Sequence, residues 1–143
     1  MEASEYLIQG PLSSAFISGI LDKADKKQVG AHAFFLGKIR ADKVSDKRVV
    51  GIEYSAYDNL VTKAVQIITS SLLRKYDDLT DVQIYHSKGL VKVGEISLIV
   101  SVSCGHRKQA FAAMEDCVEQ IKANLPVWKK ELYDDQSHKW LEK

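Results

Sequence analysis

Four places along the chain put a cation at the end of a structural element rather than in a solvated run. They are Arg40 after an aromatic stretch, His106 and Arg107 where an apolar strand gives way to a helix, Lys122 at the far end of that helix, and Lys129 beyond Pro126-Val-Trp128. Taken singly, each is an ordinary surface charge or a partner of a helix dipole. Taken together they concentrate positive charge at element ends, and the unpaired backbone N–H groups of a helix start add to it at Gly105-His106-Arg107. The chemistry this suits is the binding of an anion and the stabilisation of charge on it. Lys122 follows Ile121 directly and lies four residues after Val118, on the flank of an apolar stripe rather than opposite it. An amine there is expected to be partly desolvated, the condition in which lysine acts as a base or a nucleophile.

Distance constrains how these cations combine. An unbroken helix from Lys108 to Lys122 is about 21 Å long at the α-helical rise per residue. One small ligand cannot touch both ends. Either the chain carries two separate basic sites, or the His106/Arg107 end of one subunit meets the Lys122/Lys129 end of another across an isologous dimer interface. The dimer is the favoured expectation.

Other residues offer less. His32, His86 and His138 are isolated and lack ligand spacing, so they are read as ordinary core or surface histidines, and no metal site is expected. Cys104 precedes the helix start, which could lower a thiol pKa, but a small residue packed in a tight junction is the simpler reading. Cys117 falls on an apolar stripe and is assigned to the core. There is no Gly-rich phosphate loop, nucleophile elbow or pair of acids.

The elements that must hold these residues follow from periodicity. Ser13 and Ser14 precede a short amphipathic helix carrying Phe16, Ile17, Ile20 and Leu21. A strand runs from Gly30 to Leu36 and stops at Gly37-Lys-Ile-Arg40; residues 40–48 read as an exposed, mobile loop. Val49–Ala56 is a second strand. Asn59 is expected to cap a helix to about Tyr76 that buries Leu60, Ala64, Ile67, Ile68 and Leu72. Asp81–Ser87 alternates with period two, Gly89 and Gly94 bracket a turn, and Ile96–Ser103 is a buried strand. The helix after it presents Ala110, Phe111, Met114, Cys117, Val118 and Ile121, and Pro126 ends it. Trp128–Tyr133 is a short strand, and residues 134–143 a polar tail. The order, roughly αββαβββα, predicts an α+β fold: a mainly antiparallel sheet covered by helices, in one domain spanning 1–143.

Composition sets the outer limits. With 143 residues, 45% of them hydrophobic and 27% charged, the chain can bury a core without disulfides or metals. A net charge of +1 gives no whole-surface attraction for nucleic acid or anionic lipid. The N-terminus lacks a basic, apolar leader pattern and no run is long enough to span a bilayer, so a soluble, cytoplasmic protein is expected, with two free cysteines suiting a reducing compartment.

From about Gly30 to Trp140 the sequence resembles the catalytic, large subunit of molybdopterin synthase. The resemblance rests on Gly37-Lys-Ile-Arg40, Glu53-Tyr-Ser-Ala-Tyr57, Val93-Gly-Glu95, His106-Arg-Lys-Gln-Ala-Phe111 and Lys122-Ala-Asn-Leu-Pro-Val-Trp-Lys-Lys-Glu131, in that order. It implies an α/β-hammerhead-type subunit that forms a homodimer and binds one small ubiquitin-like sulfur carrier per subunit, giving a heterotetramer. It also implies a sulfurtransferase that takes sulfur from the carrier's C-terminal Gly-Gly thiocarboxylate and, in two transfers, converts cyclic pyranopterin monophosphate to the dithiolene of molybdopterin. No cofactor is implied. Carried over by motif, Lys122 and Lys129 are the catalytic lysines. Arg40, His106 and Arg107 contact substrate, Lys38, Lys130 and Glu131 line the site, and Phe35 and Val118 are apolar pocket residues. Two departures stand out. Family members often carry a longer C-terminus with an arginine beyond the final tryptophan where this chain has Leu141-Glu-Lys143, which leaves that contact either to Lys143 or unmade, and Cys104 sits where the family needs no thiol. The rival readings are a non-catalytic phosphate-ligand or RNA-binding module using the same basic residues, and a thiol enzyme built on Cys104.

Overall fold

Ile96–Cys104 (β6) is the centre of the molecule, and its sequence says why. A strand covered on one face alternates, whereas Ile96-Ser-Leu-Ile-Val-Ser-Val-Ser-Cys104 is buried along nearly its whole length because helices lie on both sides of it. Leu98, Val100, Val102 and Cys104 face the main core, while Ile99 packs with Leu12 and Ile20 in a smaller cluster under α1 (Ala15–Lys23). The computed structural model describes residues 3–23 and 27–142; Lys143, named above as a candidate contact, lies outside the described residues.

Around β6 the chain builds one sheet. The remaining strands are β1 (Leu7–Gln9), β2 (Ala31–Lys38), β3 (Lys43–Val44), β4 (Lys47–Ala56), β5 (Leu79–Lys92), β7 (Val127–Tyr133) and β8 (His138–Leu141). Their order is β2-β6-β5-β4-β7-β8, with β3 paired to β4 and β1 added to β5 in parallel. Helices α2 (Asp58–Lys75) and α3 (Arg107–Asn124) lie together on the main-core face. This is the α+β, mainly antiparallel arrangement that the pattern of elements predicts. Among the described residues no helix is long and apolar enough to cross a membrane.

Four local expectations change. The cap of α2 is Tyr57, without a side-chain hydrogen bond, and Asn59 lies inside the first turn. Its buried face is Val61, Val65, Ile68 and Leu72, one residue round from the expected stripe, so Leu60 and Ile67 point outward, Ile67 being 67% exposed. On α3 the buried residues are Ala110, Ala113, Cys117 and Ile121, and Phe111 is 68% exposed. Gly89 is no turn residue: it lies within β5 where the strand leaves β6 and takes up β4, with φ +91, a conformation that side chains resist. Only Gly94 serves the turn before β6.

The two segments read as unstructured also pair. Lys43-Val44 folds back on Lys47-Arg48 through Ser45, which takes φ 57, so part of the 40–48 segment is a hairpin. The tail adds β8 to β7, with Trp140 opposite Lys130.

The rotated face of α2 is testable. Ile68→Ala, at a site 1% exposed, is expected to cost about 2–5 kcal/mol in denaturant unfolding through lost contacts and the cavity left behind. Ile67→Ala should cost less than about 0.5 kcal/mol. Equal costs would return the helix to the expected orientation.

Candidate active site

The C-terminal end of β2 opens a cavity of about 350 Å³ that gathers residues from six elements. Phe35 and Lys38 come from β2 and Arg40 from just beyond it. Tyr54 comes from β4, His86 from β5, Lys122 from the last turn of α3, and Lys129 and Glu131 from β7. Ser97 reaches it through a bulge: Gly37 faces Leu98 and Lys38 faces Ile96, which leaves Ser97 as the extra residue of β6. Its Oγ accepts a hydrogen bond from the Tyr54 hydroxyl at 3.1 Å.

Charge is arranged from rim to floor. The Arg40 guanidinium is held at the exposed rim by Asp42, Nε to Oδ1 at 3.0 Å and Nη2 to Oδ2 at 3.2 Å, a fork-on-fork geometry. Glu131 accepts the Tyr133 hydroxyl at 2.8 Å. Lys38, Arg40, Lys122 and Lys129 against Asp42 and Glu131 leave the cavity with a formal excess of two positive charges. Lys122 is exposed, contrary to the expected partial desolvation, because the last turn of α3 stands at the cavity mouth. Its amine is thus open to a ligand, and any drying must come from what covers it.

His86, which the sequence marks only as an ordinary core or surface histidine, forms the floor. It is 6% exposed, its Nδ1 lies 2.7 Å from the Ser87 carbonyl, and its ring meets that of Tyr54 edge-on with centroids 4.8 Å apart. Burial, and then the charges of Lys129 and Lys122, push its pKa down from 6.5 to about 4. The signal that could have found it is parity: His86 is in phase with Val82 and Ile84 on the core face of β5.

This shift makes a stability prediction. The folded pKa lies below the unfolded value, so the native state binds fewer protons here, and the contribution is complete above pH 6.5 and is lost as pH falls toward 4. The loss should be on the order of 3 kcal/mol across that window. Urea unfolding of His86→Gln should show a correspondingly flatter dependence between pH 7 and 4. An unchanged slope would mean that His86 carries none of it.

The other expected site residues fall elsewhere. Val118 packs onto the main core one turn before Lys122. Lys130 was expected to line the site, but the pleat that turns Lys129 and Glu131 into the cavity turns Lys130 to the other face, where its Nζ lies 3.5 Å from Glu53 Oε1 and 5.7 Å from the Trp140 ring centroid. His106 and Arg107 stand at the opposite end of α3, about 22 Å from Lys122 by helical rise. They do not line the cavity of their own chain. The His106 side chain is 87% exposed, and Asp78 anchors it: Oδ2 accepts from the His106 backbone N at 2.7 Å and lies 3.3 Å from its Nδ1. Asp78 thereby does the capping that no residue at the helix start provides.

The cysteines offer no thiolate. Both are fully buried, Cys104 as the small packed residue expected at a tight junction; burial and then Asp78 push its thiol up, and burial pushes Cys117 to about 12. Among the described residues no group of His, Cys, Asp and Glu side chains is placed to hold a metal.

Comparison with known proteins gives a consistent picture. The family model described as MoaE protein matches residues 11–124. The molybdopterin synthase catalytic subunit of Drosophila melanogaster is 36% identical over 137 residues, 95% of this chain and 36% of its own length. That of Drosophila willistoni is 39% identical over 114 residues, 79% of this chain and 30% of its own. The chain therefore spans about a third of the length of these curated relatives. Among solved structures, molybdopterin synthase from Staphylococcus aureus superposes with a TM-score of 0.86 at 26% identity, covering 96% of each chain. A complex of subunits 1 and 2 of molybdopterin-converting factor from Helicobacter pylori 26695 gives 0.79 at 24% identity, with 96% of this chain and 89% of that chain covered, a likeness of fold.

Proposed function

Since the chain belongs to the MoaE protein family, we propose that it is the catalytic subunit of a molybdopterin synthase, moving sulfur from a carrier's thiocarboxylate to a cyclic pterin. The observation that carries the reading is the convergence of Lys38, Arg40, Lys122 and Lys129, from elements far apart in the chain, in one cavity. Both reactants are anions. Cyclic pyranopterin monophosphate brings a phosphate, and a small ubiquitin-like carrier brings a C-terminal Gly-Gly thiocarboxylate. Fixed cations in a confined cavity bind both and stabilise the charge that develops as each of two sulfurs is transferred, ending in the dithiolene.

The roles follow position. Lys122, open at the mouth, is the acid/base or covalent group, and the extended tail of the carrier dries it on entering. Lys129, deeper and beside Tyr54 in the β4–β7 pairing, is its electrostatic partner. Arg40 and Lys38 take the phosphate, Glu131 orients, and Phe35 supplies apolar wall. His106 and Arg107 complete the cavity of a second copy, so that the unit is a homodimer carrying two carriers, a heterotetramer. A cytoplasmic setting goes with two free, buried cysteines.

The test is assembly with activity. Light scattering of the chain mixed with its carrier should give a complex of two chains and two carriers. A monomer with full activity at dilute concentration would overturn the shared site.

A further inference from the structure

A pocket that must bind anions faces a problem of its own: its lysines need orienting, and the usual partner for an ammonium, a carboxylate, would cancel the charge on which the pocket depends. The two carboxylates present are engaged elsewhere, Asp42 with Arg40 and Glu131 with the Tyr133 hydroxyl. What lies on the floor beside Lys122 and Lys129 is an imidazole. The His86 Nδ1, 2.7 Å from the Ser87 carbonyl oxygen, must carry its hydrogen to donate there, so Nε2 is the unprotonated nitrogen, an acceptor with no charge.

We propose that His86 is a positioning residue of the pocket, its Nε2 accepting a hydrogen bond from the Lys129 ammonium and so aiming that lysine at the bound anion with its charge intact. The floor is rigid enough for the task. The Tyr54 ring stands edge-on to His86, and the Tyr54 hydroxyl is tied to Ser97. Lys129 stands directly opposite Tyr54 across the β4–β7 pair, on the same face of the sheet. The groups facing the ring are therefore Tyr54 from β4, Lys129 from β7 and Lys122 from α3, and protonation of the ring would place a third cation against two. Burial and those two lysines keep it neutral at working pH. The inference rests on the sulfur-transfer reading for what Lys129 acts upon, but not for the contact itself.

Two measurements test it. In the wild-type protein, nitrogen-15 NMR of the histidine rings should find the His86 proton on Nδ1 and none on Nε2 from pH 5 to 9; a proton on Nε2 would overturn the proposal. The Lys129 Nζ resonance should move in His86→Phe, which keeps ring size and removes the acceptor, and return toward its place in His86→Gln, whose amide oxygen restores one. An unmoved resonance in folded His86→Phe would also overturn it. In the sulfur-transfer assay His86→Phe should lower kcat by about ten- to a hundredfold with KM for the carrier within about twofold, and His86→Gln should recover much of the rate. Equal losses in both variants would mark a merely structural residue. The NMR result decides the contact whether or not sulfur is transferred, so failure of the functional reading and failure of this contact are separate results.

Discussion

Lys122→Ala is expected to lower dithiolene formation at least about a thousandfold while leaving the fold and the carrier complex in place. The expectation comes from where the side chain sits. Lys122 is exposed in the last turn of α3, next to buried Ile121, so truncating it opens no cavity in the core. Its favourable interaction with the C-terminal end of the helix is worth only about 0.3–1 kcal/mol. Thermal unfolding should therefore shift by a few degrees at most, while the amine proposed to meet the thiocarboxylate is gone. Near-normal turnover by this variant would remove Lys122 from the chemistry. A large drop in melting temperature would mean that the helix end had been misjudged.

A mixture of two inactive variants should regain activity. If each site joins Lys122 and Lys129 of one chain to His106 and Arg107 of the other, a dimer of Lys122→Ala with Arg107→Ala holds one intact site and one doubly damaged site. Co-refolding equal amounts pairs unlike chains in about half of the dimers, so about a quarter of wild-type activity should return. If every contributing residue came from one chain, no mixture could recover anything. The expectation is driven by α3 itself: it is unbroken over 18 residues, its basic ends cannot reach one small ligand, and the cavity around Lys122 and Lys129 is not lined by His106 or Arg107.

How much of this could be read from the sequence depended on whether neighbours or the wider fold decide a residue's environment. The β6–α3 unit was legible because burial on both faces leaves an unbroken apolar run, and because Pro126 stops the helix one residue beyond its cap at Leu125. The buried face of α2 was not. Leu60, Ala64 and Ile67 make a stripe as apolar as Val61 and Val65, one residue away, and only packing against β5 and α3 chooses between them. Residues 138–141 look polar because they form the last strand of the sheet, where pairing comes from backbone groups rather than side chains.

At the cavity the same limits apply. Cations at element ends drew attention to Arg40, Lys122 and Lys129, and these share one wall-to-wall space. Placing Lys129, Lys130 and Glu131 in one site overlooks that a pleated strand turns only alternate residues inward, and Lys130 leaves for Glu53 and Trp140. His86 and Asp78 were missed for a different reason. Each stands beside a group distant in the chain, His86 beside Lys129 and Lys122, and Asp78 beside His106; parity places His86 on the core face of β5, but no spacing rule links either residue to its neighbour.

The most direct measurement mixes the purified chain with thiocarboxylated carrier and cyclic pyranopterin monophosphate and follows the pterin by mass spectrometry. The expected result is replacement of oxygen by sulfur at two positions to give the dithiolene, with the carrier left as its carboxylate. A competent carrier that binds the chain yet leaves the pterin unchanged would contradict it.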